Sequence, residues 1–234
     1  MNAGDALVVH RVAVAWRAAY KAIVCGIDFK ARSGSVTILC GSNGSGKSTL
    51  LCALSGLTDP VVIAGTIAWQ RSTGTMTWDK DCARAQAMLL RQTAPFVATD
   101  RVSSYFDLFA DTPGFSRSVL EDTVQRFALS QVLDVPLGRL SGGQWRRVQC
   151  AAHFATRGSV RLLDEPESGL DRRGFVELVG QVRQARQRGE IIIIATHSRA
   201  LLESVADDVC YLDEGTCTWN SRAGLFLRYG PRLV

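Results

Sequence analysis

No apolar run in this chain approaches the roughly 18 residues that a membrane-spanning helix needs. The richest, Ile191 to Ala195, reads as a buried strand. The first residues lack a basic-then-apolar signal pattern, so the chain is expected to stay in the cytosol and to meet any membrane through a partner. Seven cysteines (25, 40, 52, 82, 150, 210 and 217) include no Cys-x-x-Cys pair. Several sit in apolar periodic segments and read as small reduced core residues, not as a disulfide frame or metal site. The three histidines, at 10, 153 and 197, are too scattered for zinc. Basic residues nowhere interleave with aromatics in a stripe. The net charge of +5 is therefore assigned to solvated arginines on helices, and no nucleic-acid partner is expected. Internal repeats and low-complexity segments are absent as well.

What is present is the material for one α/β domain. At 234 residues, with 47% hydrophobic and 21% charged residues, the chain can bury a full core. Its organising stretch is Gly41-Ser42-Asn43-Gly44-Ser45-Gly46-Lys47-Ser48-Thr49. An apolar strand, Ser35 to Cys40, precedes it, and a helix opens at Leu50 and runs to about Leu57. Strand, glycine-rich turn and helix form the context of a phosphate-binding loop. Glycines let the backbone adopt positive φ and approach a ligand closely. Successive N–H groups and the positive end of the new helix then face an anion. Lys47 is placed to reach β- and γ-phosphates, and the Ser48 hydroxyl to ligate Mg²⁺. This is read as a nucleoside-triphosphate site.

Along the chain, residues 7–16 and 23–30 read as strands joined by a hairpin, and Val61 to Trp69 as a third β-rich patch. Residues 71–82, polar with a glycine, are expected to be a loop or insertion. From Pro95 to Gly138 the pattern turns helical, over Val102 to Phe109 and Val119 to Leu133. Val160 to Leu163 and Ile191 to Ala195 read as central parallel strands, with a helix over Phe175 to Gln187 between them. Val209 to Leu212 reads as a last strand.

Two further stretches carry chemistry. Val160-Arg161-Leu162-Leu163 ends in Asp164-Glu165, a pair of acids about a hundred residues after the phosphate loop. In that position Asp164 is suited to the Mg²⁺ shell and Glu165 to polarising an attacking water. Leu140-Ser141-Gly142-Gly143-Gln144 opens another helix, a second N-terminus able to face an anion. One nucleotide needs one phosphate cradle per chain, so a second suggests a ligand shared between two chains.

In order and spacing, the phosphate loop, Ser141–Gln144 and the Asp-Glu strand resemble the ATP-binding-cassette (ABC) ATPases, the nucleotide-binding subunits of ABC transporters. The resemblance covers about residues 7–216. It implies a P-loop NTPase core, an N-terminal antiparallel β-subdomain and an inserted helical subdomain at about 93–155, within one domain spanning 1–218. A short tail occupies 219–234. ATP, with Mg²⁺, would lie between residues 41–49 of one chain and Ser141, Gly142, Gly143 and Gln144 of a second, in a homodimer. Matched residue by residue, Gln92 resembles the loop glutamine that contacts Mg²⁺ and water. Trp16 stands where an aromatic stacks on adenine, with Tyr20 as its rival. Ser168-Gly169-Leu170-Asp171 resembles the loop that crosses to the partner. His197 resembles the switch histidine that bonds the γ-phosphate and steadies Glu165.

Some positions depart from the family's pattern. Arg161 interrupts a strand that is usually apolar, which suggests an exposed or partner-facing side. Glu167 stands where Thr or Ser is common, Trp145 where a polar residue is usual, and His153 where Arg is common. The implied function is an ATP-hydrolysing motor on the cytoplasmic face of a membrane, docked to separate transmembrane permease subunits. Pro95, Phe96, Val102, Tyr105 and Phe106 are candidate contacts, with the core of the helical subdomain as their alternative place and a mixture of both roles expected for most of them. The 37 residues that follow His197 in a 234-residue chain suggest a minimal motor without an appended regulatory domain. A cytosolic cassette ATPase serving iron–sulfur cluster assembly is the alternative.

Overall fold

The computed structural model describes residues 4–18, 21–57 and 59–224. Tyr20 and most of the expected tail lie outside them. In chain order come β1 (Ala6–Ala15), β2 (Val24–Arg32), β3 (Ser35–Gly41), α1 (Lys47–Leu54), β4 (Val61–Arg71), β5 (Gly74–Thr77), α2 (Lys80–Gln86) and β6 (Ala87–Leu90). The second half of the chain adds α3 (Val102–Asp107), α4 (Arg117–Arg126), α5 (Gly142–Ala155), β7 (Val160–Asp164), α6 (Arg172–Gln187), β8 (Ile191–Ala195), α7 (Arg199–Val205), β9 (Asp208–Asp213) and β10 (Thr216–Arg222).

The strands form one sheet in the order β5-β4-β1-β2-β10-β9-β3-β8-β7-β6. Its two halves differ in kind. β5, β4, β1 and β2 pair antiparallel, whereas β9, β3, β8, β7 and β6 run parallel. The difference follows from patterning. β2 alternates buried and exposed residues along Ile27, Asp28, Phe29, Lys30 and Ala31, as a strand with one wet face must. β7 and β8 are buried at every position. Alternate residues of those strands feed two cores: Ile192 and Ile194 pack with the α5–α7 side, Ile191 and Ile193 with the α1 side.

The structure corrects the sequence reading in three places. Residues 71–82 are not a loop: β4 and β5 form a hairpin there, and Asp79 caps α2 by accepting from the Cys82 N–H. β5 is an exposed edge strand held by backbone pairing, so no hydrophobic alternation marks it. Trp78 anchors the link from β5 to α2, its indole N–H donating to the Leu54 carbonyl at 2.9 Å. The helix expected over Val119 to Leu133 is shorter: α4 starts from a Ser116 cap and ends at Arg126, and Ala128 at φ 55° turns the chain so that Phe127 and Leu129 both enter the core. Of the candidate docking residues, Val102 and Phe106 are core. Phe96 is exposed, and Tyr105 packs edge-on against Trp145 at 4.9 Å between ring centres. Burial pushes the Tyr105 hydroxyl up to about 12.

The third correction concerns Arg161, which presents no exposed or partner-facing side because it is wholly buried. Its Nε donates to Glu190 Oε2 at 2.7 Å, Nη1 to the His153 carbonyl at 2.7 Å and Nη2 to the Thr156 carbonyl at 2.9 Å. The guanidinium stacks on Phe154, 4.9 Å from the ring centre. It thus ties the C-terminal end of α5 to β7 and to the turn before β8. His153, buried beside it, is held well below the usual histidine range, chiefly by burial and then by the Arg161 charge. Replacing Arg161 with Met strands two carbonyls and leaves Glu190 only Arg188. It should lower unfolding free energy by about 3–5 kcal/mol, read as a shift of the urea midpoint at unchanged slope; a midpoint within error of wild type would refute the assignment.

Candidate functional site

The site lies at the carboxyl ends of β3, β7 and β8, where parallel strands leave their last carbonyls and the helices after them present N–H groups. Between β3 and α1 the chain turns through Gly41 at φ 143°, Gly44 at φ 82° and Gly46 at φ 96°. Two of these glycines are enforced by neighbours. A Cβ on Gly41 would sit 2.0 Å from the Leu212 carbonyl oxygen, and one on Gly46 would sit 2.5 Å from a Val24 methyl. Gly46 is also the N-cap of α1, which has no side-chain cap, so the helix start presents uncapped N–H groups. Lys47 is nearly buried, and its ammonium donates to the carbonyls of Gly41 at 2.9 Å and Ser42 at 2.8 Å. Burial lowers its pKa, opposed by the charges of Glu165 and Asp164.

A cleft of about 450 Å³ opens above this turn. Asn43, Gly44, Gly46, Lys47, Ser48 and Thr49 line it together with Gln92, Glu165, His197, Trp16 and Ile23. Trp16 is 39% exposed, a free aromatic face beside the phosphate loop. Of the residues singled out from sequence, Gly41, Ser42, Ser45 and Asp164 lie behind this lining.

Asp164 is the last residue of β7. It accepts from the Ser48 hydroxyl at 2.9 Å. Its carboxyl is raised above the usual range by burial and by neighbouring Glu165, while bonds from Ser48 and the Gln92 backbone and the Arg146 charge act the other way. A buried carboxylate beside a hydroxyl and a cleft-lining amide is a set of hard oxygen donors that fits Mg²⁺. Glu165, also almost buried, has φ 46°, a left-handed conformation that costs a non-glycine residue about 1–2 kcal/mol. Its N–H donates to Ala195 at 2.9 Å, joining β7 to β8. His197 Nδ1 lies 2.9 Å and 2.8 Å from its two carboxylate oxygens. Thus a carboxylate and a histidine face the cleft from adjacent strands.

Ser141 to Gln144 are not part of that cleft's lining. They form a capping box at the start of α5, in which Ser141 Oγ accepts the Gln144 N–H at 3.2 Å and Gln144 Oε1 accepts the Ser141 N–H at 2.9 Å. A Cβ on Gly142 would meet nothing within 4 Å, whereas one on Gly143 would sit 2.6 Å from the Gly169 carbonyl oxygen. The α5 start and the Ser168–Asp171 loop therefore touch, and Arg147 pairs with Asp171 across them.

Sequence reasoning passed over Arg146, Thr196 and Ile23. Arg146 is buried and bonds the carbonyls of Asp164 and Glu165, but in sequence it is one of two adjacent arginines on a polar helix face. Thr196 Oγ1 donates to Glu167, whose carboxyl is raised by burial. Glu167 therefore meets the Thr196 hydroxyl, and the neighbouring Glu165 charge adds to the upward push of burial.

The family model describing ABC transporters matches residues 24–168. The zinc import ATP-binding protein ZnuC of Alkalilimnicola ehrlichii is 32% identical over 82% of this chain and 69% of its own length. The L-cystine transport system ATP-binding protein TcyN of Escherichia coli is 32% identical over 82% and 81%, and the cytochrome c biogenesis ATP-binding export protein CcmA of Shigella flexneri is 33% identical over 76% and 83%. A solved structure described as the ATP binding subunit of an ABC transporter superposes with a TM-score of 0.81 at 22% identity, covering 96% of this chain and 93% of that one. The chain belongs to the ABC transporter family, among its ATP-binding subunits.

Proposed function

We propose that this chain binds ATP with Mg²⁺ and hydrolyses it within a head-to-tail homodimer, and that hydrolysis drives transport through separate transmembrane subunits on the cytoplasmic face of a membrane. The observation that carries this reading is the separation of two anion-facing groups. The cleft gathers Lys47, Ser48, Gln92, Glu165 and His197, while Ser141, Gly142, Gly143 and Gln144 stand outside it. A nucleotide in that cleft is capped only when a second copy supplies its α5 N-terminus. Among the described residues no helix is long and apolar enough to cross a membrane, which supports separate transmembrane partners. The exposed Phe96, with Tyr105 and Trp145 beside it, would meet such a partner next to the Gln92 loop. In this organisation residues 1–218 act as one domain with a helical subdomain at about 93–155. ZnuC is named for import and CcmA for export, and both directions occur among the relatives. Nothing observed favours an iron–sulfur cluster assembly role.

The position of each residue supports a part for it in this reading. Loop N–H groups and Lys47 cradle the β- and γ-phosphates; on nucleotide entry the ammonium exchanges the Gly41 and Ser42 carbonyls for phosphate oxygens. Trp16 stacks on the base. Ser48, Asp164 and Gln92 would hold Mg²⁺, which neutralises charge developing on the phosphate oxygens. Glu165 orients a water toward the γ-phosphorus and accepts its proton, and His197 keeps that carboxylate in place.

Replacing Glu165 with Gln should reduce ATP hydrolysis at least about 100-fold, keep ATP affinity within about threefold, and let ATP-bound dimers accumulate on size exclusion. Hydrolysis persisting near the wild-type rate would remove Glu165 from its role. A second expectation comes from Asp164. Its folded pKa is raised, so ionising it opposes folding, and stability falls as pH rises through that raised value. Asp164→Asn should therefore raise the melting temperature of the nucleotide-free chain at pH 7 while abolishing Mg²⁺-dependent hydrolysis. That gap should close as pH falls and wild-type Asp164 protonates. Equal melting temperatures at pH 7, in calorimetry from pH 7 to pH 4, would contradict it.

A further inference from the structure

Arg146, on the first turns of α5, is nearly as buried as the core around it. A guanidinium has five N–H donors, and the structure supplies five acceptors for them. Nε donates to the Pro166 carbonyl at 3.2 Å. Nη1 donates to the Arg91 carbonyl at 2.7 Å and to Gln149 Oε1 at 3.3 Å. Nη2 donates to the carbonyls of Asp164 and Glu165, both at 2.6 Å. All five acceptors are neutral oxygens, and none is a carboxylate. A buried cation without a paired anion must recover its lost hydration from neutral oxygens alone, and it does so only while all of them stay in place around the fork. What the arrangement secures is geometry. One planar fork grips the residue before Gln92, the turn carrying Asp164 and Glu165, and the helix that begins at Gly142. The grip falls where it is needed, because Glu165 is held in a left-handed conformation and its carbonyl is one of the bonded oxygens.

We propose that Arg146 is a positioning residue for ATP hydrolysis: it locks the Glu165 carboxylate and the Gln92 loop in register with the α5 N-terminus that would cap the partner's nucleotide. The inference rests on the hydrolytic reading of the cleft. It assigns Arg146 no contact with ATP, so its loss should appear in turnover and not in nucleotide affinity. It also makes α5 a lever: a shift of its N-terminus against a neighbouring nucleotide is passed through the bonds to the Asp164, Glu165 and Pro166 carbonyls to the segment that carries the base of the same chain.

The test uses the full chain carrying Arg146→Met or Arg146→Lys. Met fills the space without donors, whereas Lys keeps the charge but lacks the planar fork. Three quantities are measured: kcat, the Kd of a fluorescent ATP analogue with Mg²⁺, and amide exchange over residues 91–93 and 164–168. With Met, kcat should fall about 10- to 100-fold, as expected of a base displaced by about an ångström. The Kd should stay within about threefold, and exchange should rise in both segments; Lys should recover only part of the turnover. A kcat within twofold of wild type overturns the proposal, as does a rise in Kd large enough to explain the lost activity, or unchanged exchange in either segment. Where circular dichroism shows the Met variant unfolded, the Lys variant decides by the same criteria. A wild-type chain without ATPase activity would instead refute the hydrolytic reading, and the exchange data would still decide whether Arg146 holds the two segments.

Discussion

Asp164 and Glu165 stand side by side at the end of a strand, and each is almost wholly removed from water. Two adjacent carboxylates in a poor dielectric repel each other and lose their hydration, so the surrounding structure must compensate. It does so from every side. Lys47 approaches from the phosphate loop and His197 from the end of β8, while Arg146 passes beneath them to the carbonyls of both residues. Ser48 donates to Asp164 from the first turn of α1. The parallel order of β3, β8 and β7 brings their carboxyl ends to one edge and so places all of these groups within reach.

A second buried charge system holds the opposite end of the same layer. Arg161 ties the C-terminal end of α5 to β7 and to Glu190, just before β8. Arg146 ties the beginning of α5 to the other end of β7. The helix that presents Ser141–Gln144 is thus riveted at both ends to the strand that presents Asp164 and Glu165. Its outer end touches the Ser168–Asp171 loop through Gly143, where no side chain would fit. In the proposed dimer, capping by a second copy and water activation within one copy are therefore mechanically linked through a rigid element.

Much of the fold was legible because its signals are local. Unbroken apolar runs such as Ile191–Ala195 point to strands buried on both faces, and alternation over Ile27–Ala31 marks one wet face. The glycines at 41, 44 and 46 announce a backbone that must turn through positive φ. Two things were less legible. β5 owes its existence to the β4 edge rather than to its own residues, and α4 stops where Ala128 turns to bury Phe127 and Leu129. Each depends on what lies across the fold.

The linear chain determined the phosphate loop, the acidic strand end and the second helix start, because each is a short run whose chemistry and backbone demands lie in consecutive residues. It also placed the sheet's buried centre, since hydrophobic periodicity is a property of neighbours along the chain. Tertiary structure alone decided the fate of the arginines. Arg146, Arg147 and Arg161 look alike in sequence, yet the first is buried among five neutral oxygens, the second pairs with Asp171 and the third is sealed against Glu190. Whether a guanidinium is solvated, paired or buried depends on which carbonyls and carboxylates meet it from remote segments, and those meetings exist only once the sheet is assembled.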